Sequence, residues 1–241
     1  MKKFTVGVIQ MDSQDNVEKN LQTAVEFIGE AAARGAKLIA MPESMNYVGT
    51  DNAGHAENIP DGPTFCLMAE QAKKHHVWLH CGSIYEKNEK DPRPYNATMV
   101  ISPEGELAAK YHKIHPFDVI IPDGPVNKES DRICPGSEIV TVDTGEVGCL
   151  GLSICYDIRF AEMYRIMALE GAQLLLTPAD FTMPTGKDHW ETILRTRAIE
   201  NGCYVIAPAQ YGVKPNFQAY ANSVVIDPWG NVIARASNRP Q

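Results

Sequence analysis

Three side chains far apart in the chain, Cys155, Glu43 and Lys113, are of types that together perform nucleophilic catalysis. Cys155 closes the apolar run VGCLGLSI (147–154) and is followed by the charged stretch Tyr156-Asp157-Ile158-Arg159. A run of this kind suits a strand buried on both faces, and open α/β sheets bind their ligands at the C-terminal ends of such strands. A buried structural thiol has the same signature, so position alone leaves both roles open. Glu43 follows Pro42 at the end of a second apolar run. Lys113 lies in KYHKIHPFD, where an ordinary solvated lysine competes with one held among Tyr111, Ile114 and Phe117. A lysine near a thiol favours the thiolate and can neutralise an oxyanion. Histidine, the usual partner of a catalytic cysteine, occurs seven times. His76 and His80 have a possible metal spacing, but a strand segment separates them and no CxxC accompanies them, which disfavours a metal site.

These groups need elements to carry them. Residues 4–10 read as a strand, and Val17, Leu21, Ala24, Val25, Ile28, Ala31 and Ala32 recur at helical spacing up to Gly35. A strand over 37–41, a helix over 65–75, and strands over 77–84 and 96–102 follow, with a polar turn over 86–94. From Lys110 to Pro135 no period is visible, and so long a loop in a compact domain is usually functional or disordered. Beyond Cys155 the pattern predicts helices over 161–170 and 189–201. Strands are expected over 173–177, 203–207, 223–227 and 232–234, the last two joined by the turn DPWGN. GAKLIAMPE (35–43) is echoed by GAQLLLTPA (171–179) and more loosely by NGCYVIAPA (201–209). Repeated helix–strand units fit a layered α/β sandwich with two similar halves. The second copy carries Ala179 where the first carries Glu43, so the fold does not require that carboxylate, which favours a functional one.

Composition narrows the classes. At 241 residues, 44% hydrophobic and 22% charged, the chain reads as one globular domain over 1–241. A net charge of −8 with no basic stripe argues against nucleic acid as a partner. Six scattered cysteines suggest a reducing compartment. The N-terminus lacks a signal-peptide pattern and no membrane span is expected, so a cytoplasmic location follows.

The segments PES (42–44), KYHKIH (110–115) and SICYDIRF (153–160) resemble the three signatures of the nitrilase superfamily of carbon–nitrogen hydrolases. The likeness continues through 185–207 and 223–234. It implies a four-layer αββα sandwich and a Glu-Lys-Cys triad: Glu43 as general base, Lys113 at the oxyanion and Cys155 as nucleophile. It also implies a second glutamate, Glu129, an oxyanion-hole N–H from Tyr156, and no metal or organic cofactor. CYDIRF followed by TGKDHWE is most similar to the omega-amidase and deaminated-glutathione-amidase branch. That likeness implies a small linear, carboxylate-bearing amide as substrate, with Arg159 and Phe181 lining its site. For Arg159 an ion pair with Asp157 or Glu162 is an equal alternative. The same triad would also suit a nitrilase or an N-carbamoyl amino acid hydrolase, and a binding or regulatory member with little turnover is the reading from another class. The resemblance implies a homodimer or higher homo-oligomer. Two departures stand out: Ala221-Asn222-Ser223 replaces the usual Gly-His-Ser, and the sequence reaches Gln241 where relatives continue through another strand and a tail.

Overall fold

A computed structural model describes residues 3–120 and 126–241. The first half contains β1 (Thr5–Val8), α1 (Val17–Ala33), β2 (Ala36–Ala40), α2 (Pro63–His75), β3 (Trp78–His80), β4 (Ile84–Glu86), β5 (Tyr95–Ile101) and β6 (Leu107–His112). A short pair follows, β7 (Asp118–Ile120) with β8 (Val126–Lys128). The second half contains β9 (Val140–Asp143), β10 (Cys149–Leu152), α3 (Ala161–Leu169), β11 (Leu174–Leu176) and the helical turn α4 (Met183–Thr185). A π-helical turn, Gly186–Trp190, joins α4 to α5 (Glu191–Asn201), and β12 (Tyr204–Ala207), β13 (Val224–Ile226) and β14 (Val232–Arg235) close the chain.

The strands form two six-stranded sheets. In the first, β1, β2 and β3 run parallel, and β5 joins β3, β4 and β6 antiparallel. In the second, the parallel core β10-β11-β12 is flanked by antiparallel β9 on one side and β13-β14 on the other. The pleat divides side chains between two cores. Leu38 and Ala40 of β2 join the core shared with Leu150, Leu152, Leu174 and Leu176 of the second sheet. Ile39 faces the other way, to Ala24 and Ile28 of α1 and Met68 and Ala72 of α2. Met163 and Met167 of α3 and Leu194 and Ala198 of α5 cover the second sheet. The layers are therefore helix, sheet, sheet, helix, the αββα order that the resemblance implied.

The sequence echo is structural. Its three copies become β2, β11 and β12, each preceded by a glycine in the left-handed region: Gly35 at φ 83°, Gly171 at 98° and Gly202 at 64°. Other expectations need correction. The strand expected over 77–84 is two, β3 and β4, which lie on the same edge of β5. Gly82 breaks it at φ 53°, where a Cβ would meet the Pro42 carbonyl at 1.9 Å. The chain bends there because the turn carrying Glu43 presses on it. The aperiodic stretch 110–135 holds the end of β6, then β7, β8 and a 3-10 turn (Glu129–Asp131), while 121–125 lie outside the described residues. β6 escaped notice because Lys110 and His112, both paired with Glu86, mask the alternation of Ala109 and Tyr111 into the core. β9 was also unread, and the helix expected from His189 is preceded by α4 and the π-turn.

Candidate active site

The catalytic candidates sit just past strand ends that point to one side of the sandwich. β10 ends at Leu152, and Ser153 is locked by Tyr164 Oη (2.7 Å), the Leu176 carbonyl (2.9 Å) and Thr177 (3.0 Å). The chain then turns at Cys155 with φ 50°, the left-handed region that non-glycine residues seldom occupy. The Cys155 N–H donates to the Pro178 carbonyl at 2.8 Å, and residues 155–159 coil into one 3-10 turn. Buried Asp157 supports this elbow: its carboxylate accepts the Ile154 N–H (2.8 Å) and the Tyr111 hydroxyl (2.7 Å). It also accepts the His115 N–H (3.1 Å) and pairs with that ring at 2.7 Å. One carboxylate therefore ties the Cys155 turn to the segment that carries Lys113.

Lys113 continues the β6 ladder, its N–H donating to the Asn96 carbonyl at 2.9 Å. Its ammonium is fully buried. It donates to Glu43 Oε1 at 3.1 Å and to both oxygens of Glu129 at 3.1 and 2.8 Å. Glu43 leaves the end of β2 and is fixed further by Asn96 Nδ2 on Oε1 (2.9 Å) and by the Asp180 N–H on Oε2 (2.8 Å). Burial alone would lower the Lys113 pKa, yet Glu129 and Glu43 hold it well above the ordinary lysine value, so it stays an ammonium. Burial and the adjacent Glu43 push the Cys155 thiol well up, against the pull of Lys113. The resting pair is a thiol beside a carboxylate, ready for proton transfer. Buried charges of this kind persist only when paired, and Lys113 between two glutamates satisfies that.

Glu43, Lys113, Glu129, Cys155, Tyr156 and Phe181 all line a single cleft of about 890 Å³. The Tyr156 N–H lies in the first turn of the 3-10 segment, where backbone donors lack helical partners. Arg159 differs: it is not among the residues lining the cleft. Its guanidinium lies over the rings of Tyr156 (5.4 Å) and Phe181 (5.9 Å), which do line it. Neither alternative ion pair forms. Asp157 is committed to Tyr111 and His115, and Arg159 instead contacts His189 Nδ1 at 3.1 Å, while its buried Nε has no partner among the described residues. Lys128 and Arg132 are further cations on the cleft wall. Sequence reasoning missed these two, as well as Asn96 and Asp180. The echo held a signal for Asp180, which follows Ala179 as Ser44 follows Glu43. His76 is the exposed cap of α2 and His80 is buried against Thr98, so they do not form a pair. Among the described residues no cluster of metal-ligating side chains occurs, and no helix is long and apolar enough to cross a membrane.

Two sheets packed face to face between helices, with a buried Glu, Lys and Cys at their strand ends, define a nitrilase-superfamily fold. Nit3 of Saccharomyces cerevisiae, described as a member of branch 10 of that superfamily, superposes with a TM-score of 0.89 at 29% identity, covering 98% of this chain and 86% of its own. NitFhit of Caenorhabditis elegans matches with a TM-score of 0.89 at 40% identity, covering 97% of this chain but 58% of that longer protein. Residues 5–241 match the carbon–nitrogen hydrolase model, and the chain belongs to that family. A deaminated glutathione amidase from Synechocystis is 39% identical over all of this chain and 90% of its own length. The human omega-amidase NIT2 is 40% identical over 98% of this chain and 85% of its own. The protein is thus a hydrolase acting on carbon–nitrogen bonds.

Proposed function

We propose that the protein is a cofactor-independent amidase that releases ammonia from a small linear amide bearing a carboxylate, through a thioester on Cys155. The observation that carries this reading is Lys113, whose ammonium bridges Glu43 and Glu129 in the cleft that also holds Cys155. The relatives named for amidases of this type support the substrate class.

Glu43 takes the thiol proton as sulfur attacks the amide carbon. The carbonyl oxygen becomes an oxyanion held by the Lys113 ammonium and the Tyr156 N–H, donors worth about 2.7–4 kcal/mol each in comparable sites. Protonated Glu43 then passes its proton to the nitrogen, the C–N bond breaks, and ammonia leaves. Glu43 next removes a proton from water, hydroxide adds to the thioester, and collapse expels sulfur, which recovers its proton as the acid departs. Glu129, with both oxygens on Lys113 and a bond from the Phe117 N–H, keeps the ammonium aimed and charged throughout.

A panel of amides, nitriles and N-carbamoyl amino acids, read by ammonia release, tests the reading. Succinamate and alpha-ketoglutaramate are the expected substrates, with an acyl adduct on Cys155 trapped by mass spectrometry and no turnover in Cys155→Ala. Turnover confined to nitriles or carbamoyl compounds, or near wild-type activity without the thiol, would refute it.

A further inference from the structure

Tyr85 lines the cleft, yet no step of the proposed hydrolysis uses it. The pleat of β4 aims it there. Ile84 and Glu86 share one face, where Ile84 joins the core with Met68 and Ala72 and Glu86 pairs with Lys110 and His112. Tyr85, between them, turns to the other face. Its partner across the β5 ladder is Asn96, so the two side chains stand beside one another. Asn96 Nδ2 donates to Glu43 Oε1 at 2.9 Å, and the Asn96 carbonyl accepts the Lys113 N–H at 2.9 Å. On the other edge of β4 the Tyr85 carbonyl accepts the Glu57 N–H at 2.9 Å. The strand is thus fixed along both edges and carries the phenol to the base and the ammonium. The side chains its hydroxyl faces are Ser44, Glu129, Glu43 and Lys113. Burial raises that hydroxyl well above the ordinary tyrosine value, with Glu129 and Glu43 adding and Ser44 and Lys113 opposing, so it stays neutral.

We propose that the Tyr85 hydroxyl accepts an N–H of the scissile amide and that its ring closes the space beyond, which makes the enzyme selective for primary amides. This rests on the amidase reading and deepens it: the nitrogen product is ammonia and not a substituted amine. Glu43 hands its proton to the nitrogen and Lys113 holds the oxygen, so the amide lies with its nitrogen toward Glu43 and its oxygen toward Lys113. A hydroxyl facing both groups meets the N–H on the carbonyl-oxygen side of the nitrogen. A neutral hydroxyl can accept that N–H while donating its own proton to a neighbouring oxygen. In a secondary amide the substituent takes that position, because the trans form is strongly favoured. An N-methyl amide therefore loses the hydrogen bond and drives its methyl group into the phenol.

The matched probes are succinamate and N-methylsuccinamate, with alpha-ketoglutaramate and its N-methyl amide as a second pair. Turnover is read as the acid product common to both members of a pair. In the unaltered protein kcat/KM for the primary amide should exceed that for the N-methyl amide by about tenfold or more. Tyr85→Phe keeps the ring and deletes the acceptor. Its kcat/KM for the primary amide should fall by about 2–10-fold, the scale of one neutral hydrogen bond. The value for the N-methyl amide should stay unchanged, a split that a merely structural role would not produce. Tyr85→Ala opens the space and should raise kcat/KM for the N-methyl amide. An N-methyl amide hydrolysed as fast as its primary partner overturns the proposal. So does a primary-amide kcat/KM that Tyr85→Phe leaves unmoved, or a folded Tyr85→Ala protein that gains nothing on the N-methyl amide. Each of those results leaves the amidase reading standing, whereas no turnover of any of the four amides overturns both.

Discussion

At the scale of single residues, the site depends on one buried ammonium, Lys113, shared by two carboxylates, Glu43 and Glu129. Glu43 is held by Lys113, Asn96 and the Asp180 N–H and lines the same cleft as the Cys155 thiol whose proton it must move. Glu43→Gln keeps the shape and deletes the base. Turnover should fall by about 10²–10⁴-fold, the usual range for a lost general base, while the thermal melt stays cooperative. Steady-state ammonia release beside a melting curve checks both. Arg159 carries the proposal for the substrate carboxylate. Arg159→Met should raise the KM for succinamate by about tenfold or more with a smaller change in kcat. An unchanged KM would transfer that role to Arg132 or Lys128, the cations that themselves line the cleft.

At the scale of elements, what matters is where strands stop. β2, β10 and β11 end on one side and deliver Glu43, Cys155 and Asp180, while the antiparallel β6 delivers Lys113 from the β5 ladder. Gly82 helps hold one of these: it breaks β3 from β4, and the Ser83 hydroxyl beside it accepts the Ser44 N–H at 2.9 Å, bracing the turn just past Glu43. Gly82→Ala would force a methyl group into the Pro42 carbonyl and strain a left-handed backbone. The expected loss is about 2 to 4 kcal/mol in urea unfolding, with kcat reduced because Pro42 precedes the base.

At the scale of the whole molecule, the second sheet's helical layer leaves apolar surface uncovered. Leu169 is 79% exposed, Ile166 41% and Ile199 56%, on α3 and α5, which pack side by side. An apolar face of this kind fits the homodimer that the family resemblance implies, with a second copy as the occupant. Leu169→Glu should shift the protein toward monomer in sedimentation velocity at micromolar concentration. A species unchanged in mass would place any self-association elsewhere.

A layered α/β sandwich was legible because apolar runs that follow a Gly and end in a Pro repeat at β2, β11 and β12, and local periodicity is a property of neighbouring residues; the four-layer αββα order came from the family resemblance. Glu43, Lys113 and Cys155 were candidates by residue type and setting, while their roles, and Glu129 altogether, were what the family resemblance implied; the structure brings all four into one cleft. The break at Gly82, β6 under its paired charges, and the true contacts of Arg159 were not readable, because each depends on a partner far away in the chain. Asp180 shows this most clearly. Its letter says only that a carboxylate follows Ala179. Packing beside Glu43, itself distant in sequence, closes its Oδ1 to water and leaves that atom without a partner among the described residues. Residue type and local pattern therefore determined which groups were present and which elements carried them. Tertiary structure alone decided which charges were satisfied, since desolvation and pairing depend on distances that the order of residues does not contain.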